Sequence, residues 1–195
     1  MTSCFIILIT VAAATLSVSA QELREECKDV DQLKIQIETF HGCCDLVSKI
    51  RKIERPKEEE EAWNICKEEW KKKDFTAGNR TPASEGHDCL MECVLKRQGA
   101  MGQDFKFDKE KMHELFLNGF PEELREAGKQ AMEKCMNKNF SKKYCASGVT
   151  GVFMCFSEEL VMNCPANIWT SDEKCTAAKE YMTKCPSYQT MVDHE

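Results

Sequence analysis

Apolar residues recur along this chain every three or four positions, which is the repeat of a helix with one buried face. Leu33, Ile37 and Phe40 show this spacing in the N-terminal part of the chain. No segment shows a strong alternation of apolar and polar residues, which is the pattern of a half-buried strand. Glycine and proline, which interrupt helices, are scarce, with 9 and 5 among 195 residues. The pattern therefore predicts an all-α fold.

Residues that cap or break helices divide this pattern into about seven or eight segments. Acidic residues lead the segment Lys57–Lys73 and lysines end it, which suits the helix dipole. Ser84 and Asp108 are placed to cap the next two helices, and Pro121 to open the one that follows. The predicted helices lie at residues 31–40, 46–53, 57–73, 84–98, 108–119, from 121 onward, 150–163 and from 171 onward.

The first twenty residues differ from the rest of the chain. Met1–Ala20 contains no charged residue, and it carries an apolar run from Cys4 to Leu16. It closes with Val18-Ser19-Ala20, a small-residue pattern typical of signal-peptidase cleavage. The run is shorter than the roughly 20 residues that a membrane span needs. We therefore expect residues 1–20 to be a signal peptide and residues 21–195 to form a single helical domain, secreted and extracellular, without stable membrane association.

The charge of the chain argues against nucleic acid as a partner, and the sequence also contains two candidate glycosylation sites. The net charge of −6 argues against nucleic-acid binding, which needs a basic surface. Lys71–Lys73 is basic, but Glu58–Glu61 precedes it and offsets it, so this segment is interpreted as a solvated helix face. Asn79 and Asn139 each begin an Asn-x-Ser/Thr sequence and are candidate glycosylation sites.

Cysteines are unusually frequent. Of the 13 in the chain, Cys4 lies in the predicted leader, and twelve follow it. An even number of cysteines in a secreted chain predicts a disulfide framework. Cys43 and Cys44 are adjacent and point apart, so each should reach a different partner. Most of the spacings are longer than those of zinc ligands, so we expect no metal and no cofactor.

Helical geometry constrains some of these cysteines further. Cys89 and Cys93 are four residues apart and share one helix face, so they should bond different neighbours rather than each other. Cys155 and Cys164 are nine apart, which places them on opposite sides of a helix that includes both. That helix is therefore predicted to be clamped between two layers.

The ordered cysteine pattern is similar to that of a known family. Cys66, Cys89-x3-Cys93, Cys135 and Cys155-x8-Cys164 resemble the six-cysteine signature of insect odorant-binding proteins. Features beyond these six resemble the Plus-C branch of that family. They are Cys27, the pair Cys43-Cys44, Cys145, the proline directly after Cys164, Cys175 and Cys185.

The resemblance implies a disulfide pairing. It joins Cys66 to Cys93, Cys89 to Cys155, and Cys135 to Cys164. Either Cys135 or Cys145 can take the place of the fourth cysteine of the family. The resemblance leaves open how the remaining six pair, namely Cys27, Cys43, Cys44, Cys145, Cys175 and Cys185.

The resemblance also implies a function. Members of the family enclose an apolar cavity and carry small hydrophobic ligands, such as odorants or pheromone-like molecules, through aqueous lymph to receptors, as monomers or homodimers. Apolar side chains of the central helices are candidates to line that cavity. For any single residue, packing in a solid core is the commoner explanation, and the resemblance favours a cavity for the set as a whole. The candidates are Met91, Val94, Leu95, Met112, Leu115, Phe116, Met132, Phe153 and Phe156.

Catalysis is not expected. Gly86-His87-Asp88-Cys89 is similar to the His–Asp motif of secreted phospholipases, but the double cysteine lies more than forty residues upstream and no glycine-rich calcium loop is present. No Gly-x-Ser-x-Gly or His-Glu-x-x-His motif occurs. The alternative to an odorant carrier is a secreted binding protein of saliva, haemolymph or reproductive fluid that sequesters small mediators or acts through a protein surface. A more distant alternative is a defence or inhibitor protein without a cavity.

Overall fold

Seven α-helices and one short 3-10 helix form the part of the chain that the computed structural model describes, residues 27–45, 56–71, 83–117, 120–140 and 145–192. The α-helices are α1 Val30–Gly42, α2 Lys57–Lys71, α3 Ala83–Arg97, α4 Lys109–Leu117, α5 Glu122–Met136, α6 Val149–Met162 and α7 Glu173–Lys184, followed by the 3-10 helix Ser187–Met191. Within these ranges, β pairing is limited to isolated bridges. The predicted all-α, disulfide-stapled fold is therefore confirmed.

Three of the predicted features lie outside the described residues. They are the leader at residues 1–20, the helix predicted at residues 46–53, and Asn79. The single-domain boundary at residues 21–195 stays a prediction. Among the helices that are described, none combines the length and the apolar character that a membrane span requires.

Short acidic side chains start several of the helices. Asp29 accepts a hydrogen bond from the backbone N–H of Gln32 at 3.1 Å, and Asp172 accepts one from Cys175 at 2.7 Å. Asp108 accepts the backbone N–H of Lys111 at 2.8 Å, which confirms its predicted role as a cap. Each carboxylate satisfies a donor that the first helical turn leaves without a partner and also favours the positive end of the helix dipole.

The described residues divide into two compact units. The first, here called the terminal unit, comprises residues 27–43 and 171–187. The second, the central unit, comprises residues 44–170 and 188–192 within the described ranges.

The terminal unit is a pair of helices, α1 and α7, that pack against each other. Two disulfides, Cys27–Cys185 and Cys43–Cys175, join them near their ends. Besides these cysteines, the buried apolar side chains among those that the structure describes in this unit are Phe40, Ala178 and Met182. The disulfides thus supply much of what holds a very small core together.

The central unit has a larger core, and its closest helix pair is α5 with α6. A glycine allows close packing here, because a Cβ at Gly128 would lie 2.8 Å from Leu117 and 2.9 Å from the Phe120 ring. The buried face of α5 consists of Leu124, Ala127, Gly128, Ala131, Met132 and Cys135. Helices α2 and α3 form a second packed pair around Ala62, Cys66, Leu90 and Val94.

Four disulfides belong to the central unit, and they correct the predicted pairing. Cys66 pairs with Cys93, as predicted. The predicted bonds Cys89–Cys155 and Cys135–Cys164 are wrong. The structure joins Cys89 to Cys145, Cys135 to Cys155, and Cys44 to Cys164.

The end of α6 explains the error. The helix stops at Met162, so Cys164 lies beyond it and is not on the opposite side of the same helix from Cys155. The segment after α6 instead pairs with the chain near Cys44, where the Asp45 N–H donates to the Ile168 carbonyl at 3.3 Å. This backbone pairing brings Cys164 to Cys44 and leaves Cys155 for Cys135.

The order of pairing is nevertheless the predicted one, applied to a different set of six cysteines. The six cysteines are counted with Cys145 included and Cys164 left out. In that count the first cysteine bonds the third, the second bonds the fifth, and the fourth bonds the sixth. The expectation that Cys89 and Cys93 reach different partners is confirmed, as is the same expectation for Cys43 and Cys44.

Candidate ligand-binding site

An aromatic cluster lies where α4, α5 and α6 meet. The Phe116 ring centroid is 5.3 Å from that of Phe153 and 5.9 Å from that of Phe156, and Phe120 stacks on Phe156 at 6.0 Å. These separations are within the range of favourable aromatic pairs. Phe156 is buried, whereas Phe116, Phe120 and Phe153 are half-buried. The cluster is an apolar surface with three rings partly open to solvent.

The other candidate lining residues are distributed differently. Four of them are at most 1% exposed and belong to the packed core: Val94, Leu95, Met112 and Met132. Met91 and Leu115 are half-buried. The structure thus brings together three of the nine candidates, because the Phe116 ring contacts both Phe153 and Phe156. Their role in lining a ligand cavity stays a prediction.

A half-open cleft of about 210 Å³ lies elsewhere in the central unit. Three segments build it: the loop between α3 and α4, the chain that follows α5, and the start of α6. None of the nine candidate residues lines it. Its lining residues are Phe105, Lys106, Phe107, Lys109, Met136, Lys138, Asn139, Phe140, Ser147 and Val152.

The loop between α3 and α4 forms one wall of the cleft. Met101 and Phe107 face each other in an antiparallel bridge, and the Gly102 N–H donates to the Lys106 carbonyl at 2.9 Å. The tight turn between them places Phe105 at φ 62°, in the left-handed region that residues with a Cβ disfavour. The Lys96 ammonium lies 3.5 Å from the Phe105 ring centroid, so a cation–π contact holds this side chain at the rim.

Phe140 is held in the opposite wall by close approach to α6. A Cβ at Gly151 would lie only 2.3 Å from Phe140 Cδ1, and one at Gly148 would lie 2.8 Å from the Phe140 carbonyl oxygen. Gly148 also has φ +71°, which favours glycine. Phe140 forms a β bridge with Val192, and its ring makes an edge contact with Tyr188 at 6.4 Å. These contacts leave the ring little freedom.

The polar lining of the cleft is basic. Lys106 pairs with Asp104 at 3.2 Å, and the Lys109 ammonium donates to Asn137 Oδ1 at 2.6 Å. The Lys138 ammonium lies 5.4 Å from the centroid of the Tyr188 ring. No carboxylate is among the lining residues given above.

Acidic groups near the cleft are engaged in local bonds. The Lys106 backbone N–H, which donates to Asp104 at 3.2 Å, lowers the pKa of that carboxyl below its usual value. Glu92 of α3 accepts both the backbone N–H of Ser147 at 2.8 Å and its hydroxyl at 2.7 Å, just before α6 begins. Glu92 therefore anchors the start of α6 instead of filling the cleft.

Sequence reasoning missed the cleft because its residues come from three separate segments. One local pattern did point to it: aromatic and basic residues alternate in Phe105-Lys106-Phe107, within a short segment that follows Gly99 and Gly102. Asn139 is an exposed lining residue, so a glycan there would be attached beside the opening. Glycosylation at Asn139 stays a prediction.

A buried carboxylate also lies in the central unit. Glu159 of α6 is 7% exposed and accepts hydrogen bonds from the Tyr188 hydroxyl at 2.9 Å and the Lys134 ammonium at 2.7 Å. Burial, together with the negative charge of Glu159, raises the pKa of Tyr188 well above its usual value. This arrangement attaches the C-terminal 3-10 helix to α6.

One group in the described ranges has the proximity of metal ligands. Atoms of Cys66, Glu69 and Cys93 lie within 4.8 Å of one another. The two sulfurs are bonded to each other in a disulfide, however, and the metal-binding form of cysteine is the thiolate. This group is therefore explained by the disulfide and its acidic neighbour.

The helices of the central unit are linked in the first–third, second–fifth and fourth–sixth order that the resemblance to insect odorant-binding proteins implies. Residues 12–159 match the model of the PBP/GOBP family, and the chain belongs to that family. The matched residues include all six cysteines that the structure pairs in first–third, second–fifth and fourth–sixth order.

One relative is general odorant-binding protein 67 of Anopheles gambiae. It is 23% identical over 127 residues, which cover 60% of this chain and 62% of the relative. The matched region thus spans less than two thirds of that relative. No solved structure gives a significant match. The PBP/GOBP family consists of secreted odorant- and pheromone-binding carriers of small hydrophobic ligands, which are not enzymes.

Proposed function

We propose that this protein is a secreted carrier that binds odorants or pheromone-like molecules and transports them through aqueous lymph to receptors. The observation that supports the proposal most directly is the aromatic cluster inside the three-disulfide helical core of an odorant-binding family member. The half-buried rings of Phe116, Phe120 and Phe153 offer apolar surface beside the buried ring of Phe156.

The energetics of such a carrier are those of hydrophobic transfer. Each CH2 group moved from water to an apolar site contributes about 0.8 kcal/mol. Phenylalanine rings accept ligands of varied shape without demanding a particular hydrogen-bond pattern. The proposed carrier therefore binds a class of apolar molecules and discriminates among them mainly by size.

We also assign the protein to the Plus-C branch and take residues 1–20 as its signal peptide. Three disulfides support the branch assignment, since they lie beyond the six cysteines of the family order. Each joins a cysteine of residues 27–44 to one of residues 164–185. Cross-links of this kind suit a protein that stays folded in an extracellular fluid, as a monomer or a homodimer.

Dye binding tests the proposal. An uncharged naphthylamine dye is titrated into the oxidised protein and then displaced with a panel of volatile alcohols, aldehydes and esters. We expect saturable uptake near one dye per chain, and loss of uptake after disulfide reduction. Absence of uptake by an oxidised, helical protein would contradict the carrier function and direct attention to a secreted protein that acts through its surface.

A matched pair of variants localises the binding. Phe153→Ala removes a half-buried ring from the aromatic cluster, whereas Ile35→Ala removes an apolar side chain that is 61% exposed on α1. We expect about a fivefold to twentyfold loss of dye affinity in the first variant and no change in the second, since only the first removes apolar contact area at the proposed site. Equal affinities in both variants would exclude the aromatic cluster as the site.

A further inference from the structure

We infer that the half-open cleft between residues 105–109, 136–140 and 147–152 binds the carboxylate of an anionic amphiphile, such as a medium-chain fatty acid. The inference rests on the proposed function, because it names a class of ligand for the same carrier. It places the recognition of that class in the cleft and not in the aromatic cluster.

The first argument is charge. The protein carries a net charge of −6, yet the polar lining of the cleft includes three lysines and no acidic residue. Lys109 and Lys138 lie on different segments, one at the start of α4 and one after α5, and both contribute to the lining. Lysines contributed by separate segments to one lining favour an anion over a cation.

The second argument is that three neighbouring carboxylates are already engaged in bonds of their own. Asp104 pairs with Lys106 at the rim, Asp108 caps α4 through Lys111 N–H, and Glu92 accepts from Ser147. Asp104 offsets one lysine. Lys109 contacts the Asn137 amide and Lys138 contacts the Tyr188 ring, and neither partner carries a formal charge.

The third argument is the apolar part of the lining. Phe105, Phe107, Met136, Phe140 and Val152 line the same cleft as the lysines. Its volume of about 210 Å³ corresponds to roughly seven water-sized groups at about 30 Å³ each. That space accommodates the first few carbons of a chain against the apolar side chains, with the carboxylate near the lysines.

The backbone at Phe105 adds an independent observation. The left-handed region is unfavourable for a residue with a Cβ, and strained residues of this kind cluster at ligand-binding positions. At φ 62° this residue presents its ring to the cleft and to Lys96 at the same time. The strained turn thus joins an aromatic side chain and a cation at the rim.

Three eight-carbon ligands with different head groups test the inference. Octanoate, 1-octanol and octylamine are titrated separately at neutral pH, where the first is anionic and the last is cationic. We expect octanoate to bind at least about tenfold more tightly than octylamine. We also expect NaCl at about 500 mM to weaken octanoate several-fold and to leave octanol unchanged. Backbone amide signals of Phe140 and Val152 should shift with octanoate.

Lysine variants with a matched control complete the test. Lys109→Gln and Lys138→Gln should each weaken octanoate about threefold to tenfold without affecting octanol, because each removes one ammonium from the lining. Lys129→Gln changes an exposed lysine of α5 that does not line the cleft and should have no effect.

The outcomes separate this inference from the carrier function. If octanol and the dye bind but neither lysine substitution weakens the affinity for octanoate, the cleft assignment is wrong and the carrier function stands. If octanoate binds with the expected lysine dependence while the dye and octanol do not bind, the cleft is an anion site and the apolar carrier function fails. Octanoate shifts confined to the aromatic cluster would also overturn the cleft assignment.

Discussion

The terminal and central units reach stability by different routes. In the terminal unit, α1 and α7 share two disulfides. Apart from the cysteines, Phe40, Ala178 and Met182 are the buried apolar residues among the side chains described there. The central unit buries a continuous face of α5 against its neighbours and a further cluster between α2 and α3. A unit with so few buried side chains cannot offset its conformational entropy by hydrophobic burial alone. Covalent cross-links therefore matter most where the core is smallest.

Removal of both disulfides of the terminal unit should have the largest effect. A variant with serine at positions 27, 43, 175 and 185 loses two cross-links, each worth typically about 2–4 kcal/mol. We expect the amides of α1 and α7 to lose hydrogen-exchange protection while those of α5 and α6 keep theirs. The control variant C66S/C93S should leave α1 and α7 protected. Protection of α1 in the four-serine variant would show that its apolar contacts suffice.

Core truncation should distinguish the two units. Leu124 in α5 is fully buried, and Met182 in α7 is 2% exposed. Leu124→Ala should lower the free energy of global unfolding by about 2–5 kcal/mol, since it leaves a cavity in a packed core. Met182→Ala should instead increase exchange within α1 and α7 and barely change exchange in α5. The distinction between the units fails if both variants destabilise all helices equally.

Glycine substitutions should show how tightly each unit is packed. Alanine at Gly151 places a Cβ against the Phe140 ring, so Gly151→Ala should cost about 1–3 kcal/mol in chemical denaturation. A Cβ added at Gly42, at the end of α1, would meet no heavy atom within 4 Å. Gly42→Ala is therefore expected to be neutral, or to stabilise by up to about 1 kcal/mol. A destabilised Gly42→Ala variant would mean that the terminal unit is packed more closely than the structure shows.

Tyr188 should give the central unit an alkaline pH dependence. Its pKa is raised in the fold, so above about pH 10 the unfolded chain releases this proton while the folded chain retains it. Stability should therefore fall as the pH rises above that value, by at most about 1.4 kcal/mol per pH unit for this group. Tyr188→Phe should lose about 1 kcal/mol at pH 8, from the missing bond to Glu159, and show a flatter alkaline profile. Parallel profiles for the two proteins would contradict this assignment.

His41 should give the terminal unit a smaller dependence on acid. Burial lowers the pKa of this histidine below 6.5, so the folded state disfavours the imidazolium. As the pH falls through 6.5 toward the folded-state pKa, the unfolded chain binds a proton that the folded chain does not, and stability declines. In His41→Gln, the stability of α1 measured by amide hydrogen exchange should depend less on pH between about pH 7 and pH 5. An unchanged profile would show that other groups control it.

Local sequence patterns predicted the features that depend on neighbours along the chain. Asp108 caps α4 because its carboxylate reaches an amide three residues away, and Cys89 and Cys93 reach different partners because helical spacing keeps them apart. The identity of the sixth cysteine depended on where α6 ends and on what the following segment pairs with. Both depend on contacts distant in the chain, such as that of Asp45 with Ile168.

The candidate site was predictable to a smaller degree. The helical pattern marked Met112, Met132 and Phe153 as apolar-face residues, but periodicity does not distinguish a side chain that fills a core from one that borders a pocket. The structure places the two methionines in the core and leaves Phe153 half-buried. The local sequence does not mark Lys138 as a binding residue, because a lysine acquires such a role only from the other side chains that line the same cleft.

The sequence by itself determined the helical class, the disulfide-rich character and the resemblance to odorant-binding proteins, because these depend on periodicity and on the order of cysteines. Only the tertiary structure decided that Cys145 belongs to the family pairing and that Cys164 does not. It also decided that Phe105, Lys109, Lys138 and Phe140 share one cleft. The physical reason is the same in both cases. Helix ends and loop geometry determine which distant segments meet, and both the helix ends and the loop geometry depend on packing across the whole unit.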